Sequence, residues 1–320
     1  NPNTTLTNNT ITENGNGLYL NGINNLTLPG DNTITDNGGT NYQLANCNNI
    51  TLENTTFTNT TKAYQTAINA LNCNNLLLQN LTVSNNSGTA ILVGGTDVIL
   101  RDITINNSTG TAVEVQGTSY NMLMEHLTIN QPTGMGIYIN GQVYTNNSNP
   151  ALKITSNTNG PTTITGTNTG IAKYRGSQVN GLTIENTNIN NTNDYGIYIV
   201  DSTDWGGWTK NLLIQNVNVS GAGSFGIYIS MTTALSENIE ITQTTVTGGN
   251  GDGIHMSARG GNINIHDNPS SFTQNAGWGL YIYGYDNPNT TLTNNTITEN
   301  GNGLRLQGIN FANIVDNSLC

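Results

Sequence analysis

Asp252-Gly253-Ile254-His255 sets a carboxylate at a turn and an imidazole on the strand that follows, a pairing that general acid–base chemistry can use. Asp201, Asp204 and Arg259 fall near the same part of the chain and are further candidates. Lys173-Tyr174-Arg175 brings cations that could neutralise a uronate carboxylate, as β-elimination requires. Tyr198, Tyr228, His255 and Tyr281 recur at one position of a repeated Gly-[Ile/Leu]-x-[Ile/Leu/Met] strand, with Trp205, Trp208 and Trp278 in the turns beside them. Side chains alternate across a strand, so x points outward. Rings stacked about 5 Å apart on a flat sheet can pack against sugar faces while their hydroxyls bond sugar hydroxyls. The other reading of the same rings is ordinary cross-strand stacking that stabilises an exposed sheet.

The element that must position these residues is a coil of roughly two dozen residues, repeated along the chain. From Leu212 one coil reads LLIQNVNVSGAGSFGIYIS: a short alternating strand, an Asn corner, a second strand, a Gly/Ser turn, and a third strand. Period-two alternation broken by Gly, Asn and Ser is a strand–turn signal. The outward position of the third strand is Tyr19, Leu92, Glu114, Tyr138, Ala172, Tyr198, Tyr228, His255, Tyr281 and Arg305 in turn. The corner between the first two strands is Asn8, Asn54, Asn80, Asp102, His126, Asn186, Asn216, Gln243, Asp267 and Asn294. Such a corner needs a left-handed backbone, which Asn tolerates better than most residues. Amides stacked one coil apart also hydrogen-bond along the axis, and are expected to satisfy corner carbonyls that would otherwise be buried unpaired. His126 is therefore read as a substituted ladder residue rather than a metal ligand or base.

Residues 1–18 return letter for letter as 287–304, and coil 1–22 as a whole is echoed by 287–308. The 320 residues are read as a single repeat domain. Only 8% of residues are charged and the net charge is −11, which excludes a nucleic-acid partner, since phosphate neutralisation needs clustered Lys and Arg. No stretch is long and apolar enough for a membrane span. No signal peptide and no initiator Met are visible, so a processed product is expected, extracellular or at the cell surface. Asn-X-Ser/Thr triplets at Asn3, Asn25 and Asn218 are candidate glycosylation sites. Cys47 and Cys73 occupy matching corners of successive coils, close enough for a disulfide; two buried thiols are the alternative. Cys320 has no such neighbour and is free for another chain.

The pattern of strand, Asn corner, strand and Gly-x-Gly-[Ile/Leu]-x-[Ile/Leu] resembles the right-handed parallel β-helix repeats of pectate-lyase-like and NosD-like proteins, of the Asn/Thr-rich surface-protein kind. The resemblance implies an all-β solenoid of about twelve coils, roughly 55–60 Å long at the ordinary strand spacing, with no end-capping helix. It does not choose a function, because the fold hosts lyases, hydrolases, epimerases, tailspikes and adhesins. The chain lacks the paired Asp plus Gly-His-Gly of polygalacturonases, the Asp-Pro-His of alginate epimerases, and the calcium carboxylates of pectate lyases. Gly248-Gly-Asn-Gly-Asp-Gly253 resembles one calcium-binding nonapeptide, a weak sign of calcium. No cofactor and no protein metal site are otherwise expected. The reading taken first is a structural subunit of an extracellular filament or adhesin, self-assembling head to tail. The alternative is a polysaccharide lyase or epimerase, or a non-catalytic glycan-binding rod, using the Tyr198/Tyr228/His255/Tyr281 face; if catalytic, Asp252, His255 and Arg259 carry it.

Overall fold

A computed structural model describes residues 4–29, 32–58, 60, 65–145, 150–259, 261–285, 288–309 and 311–319. Its named strands pair in parallel, each with the strands one coil before and after it. They form the three faces of a right-handed β-helix of about eleven turns. The one helical element among the described residues is a 3-10 turn, Thr203–Trp205.

The first face includes Asn24–Leu28 and Asn48–Glu53, and the second Thr33–Thr35 and Thr56–Thr58. The third includes Ile197–Val200, Ile227–Met231, Ile254–Ala258 and Trp278–Gly284. Alternation builds the core: Ile199, Ile229, Met256 and Ile282 stack in register, each fully buried. Burial of one such side chain contributes about 1.5–3 kcal/mol, and repetition on every rung offsets the cost of ordering short strands. The expected outward column is also in register, with Tyr198 over Tyr228, His255 over Tyr281, and Arg305 after them. Ala172 departs from it, because the small side chain is buried between the larger Tyr138 and Tyr198 on adjacent rungs.

The corners are left-handed. Asn8, Asn54, Asn80, Asp102, His126, Asn186, Asn216, Gln243, Asp267 and Asn294 all have φ between 48° and 55°. Stacked side chains bond along the axis: Asn80 Nδ2 donates to Asn54 Oδ1 at 3.1 Å, and Asn216 Nδ2 to Asn186 Oδ1 at 2.7 Å. His126 keeps the ladder with its Nδ1 2.8 Å from Asp102 Oδ1. One expectation is corrected here. Asn8, Asn54, Asn80, Asn216 and Asn294 are exposed and Asn186 half-buried, because a left-handed turn throws the corner side chain outward. The buried polar work falls to the next residue along. Asn268 donates to Asn295 Oδ1 at 2.7 Å and accepts from the Thr244 amide at 2.7 Å. Asn295 in turn donates to the Ile265 carbonyl at 2.8 Å.

The duplicated segment folds the same way twice, with φ 55° at Asn8 and 54° at Asn294, and 58° at Glu13 and 57° at Glu299. Cys47 and Cys73 are both buried and free, which corrects the disulfide expectation. Parallel side chains on adjacent rungs keep the full strand spacing of ~4.8 Å, wider than the ~3.8 Å between Cβ atoms that a disulfide prefers. Each thiol instead faces its own coil's carbonyl, Cys47 to Ala45 at 3.3 Å and Cys73 to Leu71 at 3.6 Å. Cys320 and Asn3 lie outside the described residues. The last coil presents Phe311, Ile314, Val315 and Leu319 to solvent.

If backbone conformation rather than a buried hydrogen bond fixes the ladder, the substituent decides the cost. Asn216→Val should lose about 1–2 kcal/mol, the penalty for a side chain in the left-handed region. Asn216→Gly should stay near wild type. Denaturant melts of the two variants check this; equal losses would show that the amide contact matters instead.

Candidate functional site

The third face over its last coils is a continuous aromatic surface. Tyr198 and Tyr228 stack at 5.5 Å and 15°, Tyr228 and His255 at 5.3 Å and 15°, and Tyr281 meets the imidazole edge-on at 4.6 Å. The Arg305 guanidinium caps the row, 5.0 Å from the Tyr281 ring and 5.8 Å from Trp278. A second column runs alongside, made by the residue that precedes each strand's glycine: Tyr195, Phe225, Asp252 and Trp278. Backbone bonds hold it in register, from the Gly196 amide to Phe225, Gly226 to Asp252, and Gly253 to Trp278. Glycine is required at this turn, since a Cβ on Gly226 would lie 2.1 Å from Val246 Cγ1.

The two columns meet three residues apart within each coil. Tyr195 touches Tyr198 at 4.6 Å and Phe225 touches Tyr228 at 5.6 Å. On the next rung the ring pair gives way to Asp252 and His255, with Oδ2 2.7 Å from Nδ1. The other Asp252 oxygen accepts from the Trp278 amide at 2.7 Å, so the carboxylate is held at both ends. With a carboxylate as acceptor, Nδ1 carries the proton and Nε2 is the free basic nitrogen. Stacking on Tyr228 fixes the ring plane. Around it, burial and then the neighbouring Tyr198 raise the Tyr228 phenol pKa, keeping it a proton donor. Burial, followed by Glu114, pushes Tyr138 further down the same face up to about 12.

Other sequence candidates land elsewhere. Lys173 and Asp201 are not surface groups but an ion pair at 2.5 Å, each side chain fully buried. Lys173 takes a core position between Ile139 and Ile199, and donates also to the Tyr174 and Val200 carbonyls at 3.3 Å. Burial lowers the Lys173 pKa, with Asp201 opposing that effect. Asp201 accepts as well from the Thr209 hydroxyl at 2.8 Å and from Ser236. Lys173 is therefore out of reach of a uronate, and Arg305 is the cation nearest the imidazole along the column. Spacing puts Arg305 at the outward position, but its contact with the Tyr281 ring depends on the next rung and is not visible in the sequence.

Asp204 is exposed on the 3-10 turn, away from the column. Arg259 follows the strand Ile254–Ala258 and lines a shallow depression with Thr203, Thr232 and Tyr285. Trp278 borders the platform and Trp205 packs on Tyr174. Trp208 is not beside the platform: it begins the strand Trp208–Ser220 around the corner and packs on Tyr144 at 6.0 Å. Asp252, the carboxylate of the Gly248–Gly253 stretch, is engaged by His255 and the Trp278 amide. Among the described residues no group of His, Cys, Asp and Glu is arranged to hold a metal ion, and no helix is long and apolar enough to cross a membrane. Asn25 and Asn218 are exposed.

A family model described as "Right handed beta helix region" matches residues 1–158 and 169–319. No curated protein matches the sequence. Among solved structures, the periplasmic alginate epimerase AlgG superposes with a TM-score of 0.64 at 12% identity, over 92% of this chain and 75% of that one. The A-module of the Azotobacter vinelandii mannuronan C-5 epimerase AlgE6 gives 0.47 at 14% identity, over 92% and 90% of the two chains. That of AlgE4 gives 0.45 at 10% identity, over 98% and 80%. At these identities the likeness is one of fold.

The buried pair makes a sharp stability test. Lys173→Met should cost about 3–5 kcal/mol by leaving the Asp201 charge buried without its partner. Adding Asp201→Asn, which keeps an acceptor for Thr209 and Ser236, should recover part of that loss. Chemical denaturation of both variants measures it, and a Lys173→Met protein as stable as wild type would contradict the burial.

Proposed function

Since the chain belongs to the right-handed β-helix family, whose fold alone selects no activity, we propose from its site that it modifies an acidic polysaccharide. The polymer lies along the Tyr198–Arg305 face, and His255 removes the proton α to a uronate carboxylate. The observation that carries this reading is the substitution on one rung: an otherwise aromatic pair becomes a carboxylate-held imidazole with Nε2 free. Structural stacking alone would be served by another ring pair; a general base would not. Flanking Tyr228 and Tyr281 supply sugar-stacking surface, and Arg305, two rungs from His255, supplies a positive charge for a carboxylate of the bound polymer. The fold-level likeness to an alginate epimerase makes mannuronan the first polymer to try.

Proton removal at C5 leads to either of two outcomes. In β-elimination the proton passes to His255, the electron pair forms the C4–C5 double bond, and the leaving O4 takes a proton. The protonated Tyr228 phenol, adjacent to the imidazole on the same face, suits that donation. In epimerisation a proton returns to C5 from the opposite side of the ring, which the flat platform itself does not supply. The geometry therefore favours elimination within the lyase-or-epimerase class. Head-to-tail filament assembly has no comparable support, because the exposed Phe311, Ile314 and Val315 are what any further coil would cover.

Incubation with mannuronan should yield unsaturated uronates, read by ultraviolet absorbance, with inverted residues read by NMR as the epimerase outcome. His255→Ala and Asp252→Asn should each lower the rate by roughly 10²–10⁴-fold, the usual contribution of a positioned base, while polymer binding persists. Tyr198→Ala and Tyr228→Ala should weaken retention on immobilised polymer with the far-ultraviolet circular dichroism intact. Product formation undiminished in His255→Ala would overturn the assignment.

A further inference from the structure

A separate aromatic cluster is made by Tyr138, Tyr174 and Trp205, with ring centroids at 6.4 and 6.0 Å and near-perpendicular planes of 86° and 74°. Trp205 is 60% exposed, an unusual state for the largest apolar side chain. Beside it opens a cleft of about 430 Å³, walled by Tyr174 and Trp205 and edged by Asn140 and Gln142. Its floor includes Gly117, Gly141 and Gly176. A Cβ on Gly141 would meet the Gly117 carbonyl at 2.3 Å, and one on Gly176 would meet the Tyr174 ring at 3.0 Å. The floor is therefore backbone, which leaves room for a ligand ring and peptide groups to bond it.

The loop that carries Trp205 is fastened at its root. Asp201 is held by Lys173, Thr209 and Ser236 inside the core. The Ser202 amide donates to the Arg175 carbonyl at 3.1 Å, the Gly207 amide to Ser202 at 3.1 Å, and Gly206 closes the turn at φ 68°. The tryptophan is thus displayed on an anchored turn. Pre-organisation of this kind removes ordering cost from binding. It also gives the buried ion pair a purpose that packing alone would not require.

We propose that this cleft is a distal sugar subsite that makes the protein selective for long chains. The inference rests on the polysaccharide reading above. One sugar of the same polymer stacks its apolar face on Trp205 and directs hydroxyls to the Asn140 and Gln142 amides. The strand before Trp205 lies two rungs from His255, and the floor residues follow strands three to five rungs away. At ~4.8 Å per rung the cleft sits on the order of 15–20 Å from the imidazole. A short oligomer over His255 does not reach it and a longer one does.

The test compares wild type with Trp205→Ala, using oligomannuronates just long enough to span Tyr198 to Tyr281 and others twice that length. Wild type should bind the longer oligomers more tightly, and Trp205→Ala should lose roughly tenfold of that affinity, a stacking contribution of the usual size. Affinity for the short oligomers should not change, and neither should the melting temperature, since Trp205 is exposed. Equal affinity of the two proteins for the longer oligomers would overturn the distal subsite while leaving the polysaccharide reading intact. A wild-type protein that binds neither length would overturn both.

Discussion

Everything in this molecule depends on corners whose backbone turns left-handed on rung after rung. A strand of a few residues cannot bury its inward face alone, and it gains that burial only if the next coil repeats its path in register. The repeat is possible because Asn, and at single rungs Asp, Gln, Glu or His, accepts a positive φ at modest cost. That tolerance explains the composition. Asn pervades the chain because the corners recur, and charge is scarce because the outward ladders are built from neutral amides that can donate and accept along the axis.

Fixed register then turns a short motif into a surface. Each third strand delivers one outward side chain to one column, and the residue before its glycine to a second. Changing those two residues on one rung replaces a ring-on-ring contact with a carboxylate–imidazole contact, without disturbing the scaffold. The Asp252–His255 pair is an edit of this kind. Its precision comes from the rungs on either side: Tyr228 stacks the imidazole, and the Trp278 amide holds the carboxylate. The buried Lys173–Asp201 pair shows the opposite use of a polar substitution, placed inward where it anchors a loop.

Most of the architecture was legible in the sequence because its signals are local and repeated. Strand alternation, the corner ladder with its left-handed backbone, and the register from Tyr198 to Arg305 all follow from spacing. What spacing does not reveal is depth. The Asn ladder looked buried and is exposed, because the direction of a corner side chain depends on the sense of the turn. Lys173 looked like a surface cation but occupies an Ile position, since its coil is irregular there and its partner Asp201 is a coil away. Cys47 and Cys73 stack as their matched corners suggest, yet both are free thiols. The contact between Asp252 and His255 could be read from their separation along the chain, whereas the Trp205 cleft could not, because its walls come from four different coils.

In the function proposed for this face, the Asp-held imidazole removes the C5 proton of a uronate. Elimination and epimerisation share that step, so the most direct measurement follows the proton itself. Mannuronan incubated with the protein in deuterated water should either lose its C5 hydrogen to an unsaturated product or gain deuterium at C5, as NMR reads. Replacement of His255 should slow both by the same roughly 10²–10⁴-fold. A polymer that is bound on this face but keeps its C5 hydrogen through prolonged incubation would contradict the account and leave the face as a binding surface alone.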